Sequence, residues 1–301
     1  MRYVIYSESP YQLLNSLRYI EDESISFSDV SIFVRFTDSK KQNKQFLNAF
    51  KSKGIKEKRI INFNNKISSF ICFVYFFFCS IFSKRLIIGD ARGKIQKIFL
   101  FIFGRVNKLI LVDDGLYLIN HWEKLIGNKI LIYSSISILE SEIDKNGFGL
   151  RFKKMHLEKI EESPDLSHVN SFIGSKICEI GYLSKERYLN ILKDLYSSSC
   201  PNIYYAHRDE SSEKLNLISS MGYEVVIPEV PLEDHLRFNG APRGNYYSFY
   251  STALYNLSEL IESSNFYCVD PGKDSWDIED TKNIYNCYDL LSASGVKCLY
   301  V

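Results

Sequence analysis

The sequence predicts an α/β protein with two facing nucleotide-binding-type domains, each built around a parallel sheet. Residues 109–112 form a run without a polar residue, which is too apolar for a half-exposed strand and too short for a helix. Strand-like and helix-like segments alternate at the spacing of βαβ units. The alternation weakens between residues 134 and 164 and then restarts, which divides the chain into domains 1–150 and 151–301.

In the first half, apolar runs predict strands and longer segments between them predict helices. Ser9 suits the N-cap of the first helix and Pro10 its first position, because serine accepts a backbone hydrogen bond there and proline lacks an N–H. The predicted strands are residues 2–6, 30–36, 59–63, 86–92, 108–115 and 129–134, with helices at 39–53 and 94–103 and near 116–122.

The second half repeats the alternation. Ser184 is the expected N-cap of one helix, and Glu186 in its first turn suits the helix dipole. The predicted strands are residues 173–180, 201–206, 224–228, 246–250 and 265–269, and the predicted helices are 184–196, 213–221 and one starting near 251.

Composition excludes some classes of protein. The 301 residues carry a net charge of +1, which gives no global electrostatic reason to bind nucleic acid. The seven cysteines form no CxxC pair, and the chain opens on a strand-like segment without a signal-peptide pattern. We therefore expect a protein of the reducing cytoplasm.

Residues 67–82 are rich in phenylalanine and are flanked by lysine and arginine. A stretch of roughly 16 residues falls short of the ~20 that a spanning helix needs. A helix packed on the core is expected, with contact at a membrane surface as the first alternative and a true span as the second.

Asp113, Asp114 and Gly115 follow the apolar run 109–112. Ligands bind at the carboxyl ends of strands in open α/β sheets, and an acid pair there is costly unless it is used. The alternative is that one of the two acids caps the following helix. Ser9, Gln12, Asp90 and Arg92 lie at strand ends of the same predicted edge and could touch an acceptor, although capping or solvation explains each as well.

The second half offers a different set of groups. His207 follows a strand, and an imidazole there could face the acid pair across a cleft, although a lone histidine is more often structural. Ser251 and Thr252 place two hydroxyls at a helix N-terminus, which favours a phosphate, with simple capping as the alternative. Glu233, or Glu229 in its place, could accept hydrogen bonds from ribose hydroxyls. No P-loop, GxGxxG, HExxH or metal-spaced His/Cys set occurs.

Taken in order, Asp113-Asp114-Gly115, His207, Glu233 and Ser251-Thr252 resemble the motifs of bacterial sialyltransferases of glycosyltransferase families 52 and 80 and of the capsule polysialyltransferases. Residues 9–15 and 88–92 resemble family 52 and the polysialyltransferases as well, so the likeness spans most of the chain. One departure is that Arg208 follows His207, where the family motif has proline.

The resemblance implies a GT-B fold, an N-terminal domain for the acceptor and a C-terminal domain for the CMP-sugar. It implies Asp114 as general base and His207 as general acid in contact with the CMP phosphate. Ser251 and Thr252 would hold that phosphate beside Arg208, and Glu233 would hold the ribose. Asp113 would orient the loop, and no metal or other cofactor is implied.

The implied activity is inverting, metal-independent transfer of sialic acid or a related nonulosonic acid from a CMP-activated donor. The implied acceptor is a glycan of lipooligosaccharide or capsule near the inner membrane, and family 52 also implies a homodimer. Two alternatives remain open at this point: a GT-B glycosyltransferase using another nucleotide sugar, and a non-enzymatic peripheral membrane scaffold.

Overall fold

The computed structural model describes residues 3–55, 59–62, 66–89, 91, 93–113, 115–163 and 168–301. The chain divides into two compact units, Met1–Leu157 and Glu158–Val301. The division falls seven residues after the predicted boundary at residue 150 (157 minus 150), because a strand at Arg151–Lys154 pairs with the last strand predicted for the first domain.

Unit 1 is built on a parallel sheet whose described strands run in the order β3-β2-β1-β4-β5-β6-β7. Its strands are β1 (Tyr3–Ser7), β2 (Val30–Phe36), β3 (Arg59–Asn62), β4 (Arg85–Ile88), β5 (Leu109–Val112), β6 (Leu131–Ser134) and β7 (Arg151–Lys154). Its helices are α1 (Pro10–Asp22), α2 (Lys40–Ser52), α3 (Lys66–Phe82), α4 (Lys94–Phe103), α5 (Tyr117–His121) and α6 (Ser137–Asn146).

The two faces of this sheet are covered by different helices, because successive residues of a strand point to opposite faces. Ile5 and Val34 belong to a core cluster with residues of α1 and α2. Tyr6 and Phe33 pack instead on Phe76 of α3, with ring centroids 5.0 Å apart in both pairs. The predicted parallel sheet with both faces covered is confirmed for the described part of unit 1.

Unit 2 has a second parallel sheet, with described strands in the order β11-β10-β9-β13-β14-β15. Its strands are β9 (Val169–Ile173), β10 (Asn202–Tyr205), β11 (Glu224–Val226), β13 (Gly244–Ser248), β14 (Asn265–Asp270) and β15 (Lys297–Tyr300), and β8 (Glu162–Ser163) and β12 (Ala241–Pro242) pair separately. Its helices are α7 (Lys185–Leu195), α8 (Ser212–Ser220), α9 (Leu232–Asn239), α10 (Thr252–Leu260) and α11 (Lys282–Ala293).

One predicted strand of unit 2 is wrong. Residues 173–180 were expected to be extended, but β9 ends at Ile173, where the prediction begins, and turns follow. Gly174 N still donates to Tyr205 O of β10 at 2.8 Å, and the turns begin after it. A Cβ on Gly174 would lie 2.5 Å from Glu210 Oε2, so the backbone passes close to Glu210 at this point.

Helix α3 covers residues 67–82 in full. Phe76 is completely buried, which confirms packing on the core, whereas Phe70 and Phe82 are 68 % and 79 % exposed. Among the described residues, no helix combines the length and the apolar character needed to cross a bilayer. The structure thus does not support the spanning alternative for this stretch.

Candidate active site

Each sheet has a point at which successive strands turn to opposite sides of their starting strand. In unit 1 it lies between β1 and β4, and in unit 2 between β9 and β13. Ligands of open α/β sheets bind at the carboxyl ends of the strands beside such a switch point. Every predicted site residue that the structure describes follows, or lies in the segment after, a strand of one of the two sheets.

Asp113 follows β5 directly and is fully buried. Its Oδ2 accepts hydrogen bonds from Ser134 Oγ at 2.8 Å, Ser135 Oγ at 3.1 Å and Ser135 N at 3.3 Å. Its Oδ1 accepts one from Gly115 N at 2.6 Å. The carboxylate therefore ties the loop after β5 to the end of β6. Ser134 and Ser135 were not predicted as part of the site.

Burial raises the pKa of Asp113, and the hydrogen bonds from Ser134, Gly115 and Ser135 oppose that rise. A carboxylate surrounded by donors in this way is held in one orientation. Asn15 of α1 adds to the frame, since its Nδ2 donates to the Asp113 carbonyl oxygen at 3.0 Å. Asp113 thus has the contacts of a residue that orients the loop.

Ser9 and Gln12 lie at the end of β1 and have structural contacts. Ser9 Oγ accepts from Gln12 N at 3.2 Å and caps α1, as the sequence predicts. The Gln12 side chain is 3 % exposed, and its Oε1 accepts from Glu8 N at 2.8 Å. It packs so closely on Gly89 that a Cβ there would lie 2.1 Å from Gln12 Cγ. Gln12 therefore joins the ends of β1 and β4.

Three predicted site residues lie outside the described residues: Asp114, Asp90 and Arg92. Asp114 stands between Asp113 and Gly115, both of which are described and buried. The roles of Asp114 as base and of Asp90 and Arg92 as acceptor contacts remain predictions.

In unit 2, His207 lies in the loop after β10. Its Nδ1 accepts a hydrogen bond from Asp209 N at 3.1 Å, so a neutral ring carries its proton on Nε2. The pKa of His207 is lowered to about 4, chiefly by burial and also by the cations of Arg208 and Lys176, against the raising effect of the Asp209 and Glu179 carboxylates. At neutral pH the ring is therefore uncharged and presents an N–H donor.

A buried ion pair holds this loop. Lys214, 1 % exposed, lies with its Nζ 2.8 Å from Glu210 Oε1, whose side chain is completely buried. The Glu210 carboxylate also accepts hydrogen bonds from His207 N and Tyr204 Oη, both at 2.5 Å. Burial raises the pKa of Glu210, whereas Lys214 and the two hydrogen bonds lower it. The pair fixes the backbone at His207.

Sequence reasoning missed Glu210 and Lys214. Lys214 lies on the buried face of α8 with Leu215 and Ile218. The sequence did contain a signal for this pair. Lys214 lies four residues after Glu210 and one helical turn before Ile218, on the apolar face of the helix.

Two buried polar atoms near these strand ends make no hydrogen bond. They are Ser175 Oγ and Arg208 Nε, and the latter lies 3.9 Å from Asp209 Oδ2. Ser175 follows β9, the neighbour of both β10 and β13 in the sheet. Neighbouring strands lie about 4.8 Å apart, so the residues after these three strands span the width of a phosphate group and its ligands. Buried donors left unpaired are costly unless a ligand accepts from them.

Ser251 and Thr252 follow β13 at the start of α10. Ser251 has extended N-cap backbone angles, but its side chain makes no capping hydrogen bond. The predicted alternative of simple side-chain capping is therefore not observed. Glu233, 7 % exposed on α9, accepts a hydrogen bond from Asn256 Nδ2 of α10 at 2.7 Å. That contact joins α9, which carries the predicted ribose-binding residue, to α10, at whose start the predicted phosphate-binding residues lie.

Glu229, the alternative ribose ligand, precedes α9, whereas Glu233 lies in its first turn. The choice of Glu233 over Glu229 as the ribose-binding residue remains a prediction. Within the described residues, no group of three or more His, Cys, Asp or Glu side chains is arranged to hold a metal ion.

No family model and no curated protein matches the sequence. The structure is similar to the GT-B domain of a sialyltransferase from Photobacterium damselae, with 12 % sequence identity, a TM-score of 0.54 and 100 % of both chains covered. It is also similar to Arabidopsis thaliana UGT89C1 complexed with UDP-L-rhamnose, with 11 % identity, a TM-score of 0.57 and coverage of 99 % of this chain and 84 % of that chain.

At such identities the similarity shows the fold alone. The chain has the GT-B fold, with two Rossmann-like units that each contain a parallel sheet. The predicted fold class is thereby confirmed.

Proposed function

We propose that this protein is an inverting, metal-independent glycosyltransferase that moves sialic acid, or a related nonulosonic acid, from a CMP-activated donor to a cell-surface glycan. The observation that carries the proposal is the strand edge of unit 2. There a neutral imidazole N–H, a buried arginine Nε that makes no hydrogen bond and a helix start without a side-chain cap follow neighbouring strands. The GT-B fold and the order of the sequence motifs support the same assignment.

The donor phosphate is the proposed ligand of this edge. Arg208, Ser251 and Thr252 provide a charge, hydroxyls and the start of a helix, all of which favour an anion. His207 Nε2–H donates to the phosphate oxygen, and the bound anion raises the pKa of the ring so that it can protonate the departing CMP. Glu233 keeps one oxygen on Asn256 and offers the carboxylate to ribose hydroxyls.

The acceptor is the proposed ligand of unit 1. Asp114 removes the proton from the attacking hydroxyl, and Asp113 orients the loop through its hydrogen bonds. Asp90 and Arg92 are the proposed acceptor contacts. Ser9 and Gln12 shape the same edge through the capping of α1 and the packing on Gly89.

These groups suit the chemistry of a nonulosonic acid. The bond from the anomeric carbon to the phosphate oxygen breaks as the acceptor oxygen bonds to that carbon, and the transition state resembles an oxocarbenium ion. Attack from the face opposite the leaving group inverts the configuration. The leaving CMP is already an anion, so hydrogen bonds and a proton stabilise it without a Lewis acid.

The test is donor turnover with CMP-sialic acid and a galactose-terminated glycan, with and without excess EDTA. We expect equal transfer in both conditions and release of one CMP per sugar transferred. Loss of turnover on chelation would contradict the metal-independent mechanism.

A thermal-shift panel of CMP, UDP and GDP separates this proposal from the alternatives. We expect stabilisation by CMP alone. Stabilisation by UDP or GDP instead would identify another nucleotide-sugar donor, and stabilisation by none of the three would favour a non-enzymatic role. Cytoplasmic location is proposed from the cysteine pattern, and a homodimer is proposed from the sequence resemblance.

A further inference from the structure

The outer face of α3 is apolar and exposed. Its large exposed side chains are Phe70, Ile71, Val74, Tyr75, Phe78, Ile81 and Phe82. These side chains recur every three or four residues, and this spacing places them along one side of the helix. The opposite side is used in folding, since Phe76 is completely buried against Tyr6 and Phe33 of the sheet.

Helix α4 continues this surface. Its Phe99 packs on Phe76 with ring centroids 4.9 Å apart, so α3 and α4 lie side by side on one face of the sheet. On α4, Ile98, Phe101 and Ile102 are exposed, and Phe101 is 89 % exposed. Monomeric soluble proteins rarely expose contiguous apolar surface of this kind without a partner.

The charge of the same segment is strongly one-sided. Residues 66–108 contain eight Lys and Arg against one Asp, a net charge of +7, whereas the whole chain carries +1. The remainder of the chain is therefore net −6. Among the side chains of the segment that the structure describes, the exposed bases are Lys84, Lys94, Lys97 and Arg105. Positive charge is thus concentrated around the exposed apolar side chains.

We propose that the outer faces of α3 and α4 dock unit 1 onto an anionic lipid bilayer. Exposed aromatic side chains enter the boundary between head groups and acyl chains, and lysines and arginines contact anionic head groups. A symmetric dimer through the same faces would place two segments of charge +7 against each other. A bilayer with negative head groups has the complementary charge.

The docking surface is independent of the proposed transfer reaction, but it reaches the acceptor edge. Lys94 and Lys97 lie in the first turn of α4, five and eight residues after Gly89 at the end of β4. An acceptor held at the bilayer surface would therefore meet the strand ends of unit 1.

The test is co-sedimentation of the full chain with vesicles of phosphatidylethanolamine and phosphatidylglycerol, compared with vesicles of phosphatidylcholine. We expect at least 10-fold tighter binding to the anionic vesicles, weakened by salt. The double variant Phe78→Ser/Phe101→Ser and the double variant Lys94→Glu/Lys97→Glu should each reduce binding at least 10-fold.

Two controls match these variants. Phe148→Ser removes an 83 % exposed phenylalanine from a loop outside the surface. Lys40→Glu/Lys41→Glu reverses two exposed lysines on α2, which covers the opposite face of the sheet. Both should bind vesicles like the wild type, and circular dichroism should show that all variants are folded.

Equal binding to both vesicle types, or wild-type binding by the α3 and α4 variants, would overturn the proposal. A second result would also overturn it. The wild type would form a concentration-dependent dimer in sedimentation velocity and would not bind vesicles, and the Phe78→Ser/Phe101→Ser variant would be monomeric. That outcome would assign the surface to a second copy of the chain. None of these results depends on CMP binding or on sugar transfer.

Discussion

The two strand edges are stabilised in different ways. At the edge of unit 1, Asp113 receives its hydrogen bonds from Ser134, Ser135 and Gly115, all uncharged groups. At the edge of unit 2, the loop of His207 is held by the buried ion pair of Glu210 and Lys214. At the same edge, Arg208 Nε and Ser175 Oγ are buried and make no hydrogen bond, and Arg208 Nε lies 3.9 Å from Asp209 Oδ2.

This difference indicates that the two strand edges have different roles. A carboxylate whose oxygens are occupied can position its neighbour but has little capacity left for a ligand, which suits Asp113 as support for Asp114. Buried donors without acceptors are destabilising in the empty protein and favourable once an anion binds. Ser7 Oγ at the end of β1 is likewise buried without a hydrogen bond, so what supports the proposed phosphate site of unit 2 is the guanidinium of Arg208 beside the N–H of His207.

The largest expected effect concerns the ion pair. Lys214→Met leaves the carboxylate of Glu210 buried without its cation, and breaking such a pair costs about 3–5 kcal/mol of unfolding free energy. Urea unfolding of the variant should show this loss. Lys214→Met/Glu210→Gln should recover part of it, because no charge remains at position 210, although Glu179, 3.1 Å from Lys214 Nζ, still loses its cation.

The matched control is Lys185→Met, which breaks the exposed Lys185–Glu213 pair at 2.6 Å. Exposed ion pairs contribute little to stability, so the urea unfolding midpoint of Lys185→Met should stay close to that of the wild type. If Lys214→Met were no more destabilising than Lys185→Met, the buried pair would not be the support of the His207 loop.

The second expected effect separates the two acids of unit 1. Asp114→Asn should lower turnover by ~10²-fold or more with unchanged CMP affinity, because it removes the base and keeps its size. Asp113→Asn should affect turnover less and instead destabilise the protein by about 1–3 kcal/mol, since an amide NH₂ cannot accept from Ser135 N or Gly115 N. Steady-state kinetics and urea unfolding of both variants measure this. Near-normal turnover of Asp114→Asn with an inactive Asp113→Asn would reverse the assignment.

The third expected effect is a pH dependence of stability. The folded pKa of His207, about 4, lies below the unfolded value of about 6.5. Between these values the unfolded chain binds a proton that the folded chain does not, so stability is present above pH 6.5 and is lost as the pH falls towards 4. From pH 7 to 4.5 the wild type should lose on the order of 2 kcal/mol relative to His207→Gln.

Urea unfolding of both proteins at the two pH values measures that difference, and saturating CMP should reduce it, because a bound phosphate raises the pKa of the ring. A constant difference between the two proteins at both pH values would mean that His207 titrates normally.

Much of the fold could be predicted from local patterns. Strand β2 and helix α4 have the predicted bounds, and the Ser9 cap of α1 is confirmed. The sequence did not predict β7, whose residues Arg151–Lys154 are basic except for Phe152 and lie at the sheet edge, where no apolar run is needed. It also did not predict α11 and β15, and it placed β9 too late. Edge strands and strand ends depend on pairing with distant residues, which local patterns do not contain.

The candidate site was predictable in residue type but not in state. The sequence placed His207 and Ser251 at strand ends, and the structure agrees. The neutral ring of His207 results from burial and neighbouring charges, and the support of the loop by Glu210 results from a tertiary contact with Lys214. Neither follows from spacing along the chain.

The central claim is that unit 2 binds the nucleotide and unit 1 provides the base. Isothermal titration of CMP into the wild type, His207→Ala and Asp114→Asn tests it most directly. The account predicts that His207→Ala binds CMP about 10-fold more weakly, since a hydrogen bond to a charged group contributes roughly 1.5 kcal/mol, and that Asp114→Asn binds like the wild type. Wild-type affinity of His207→Ala combined with loss of CMP binding in Asp114→Asn would contradict it.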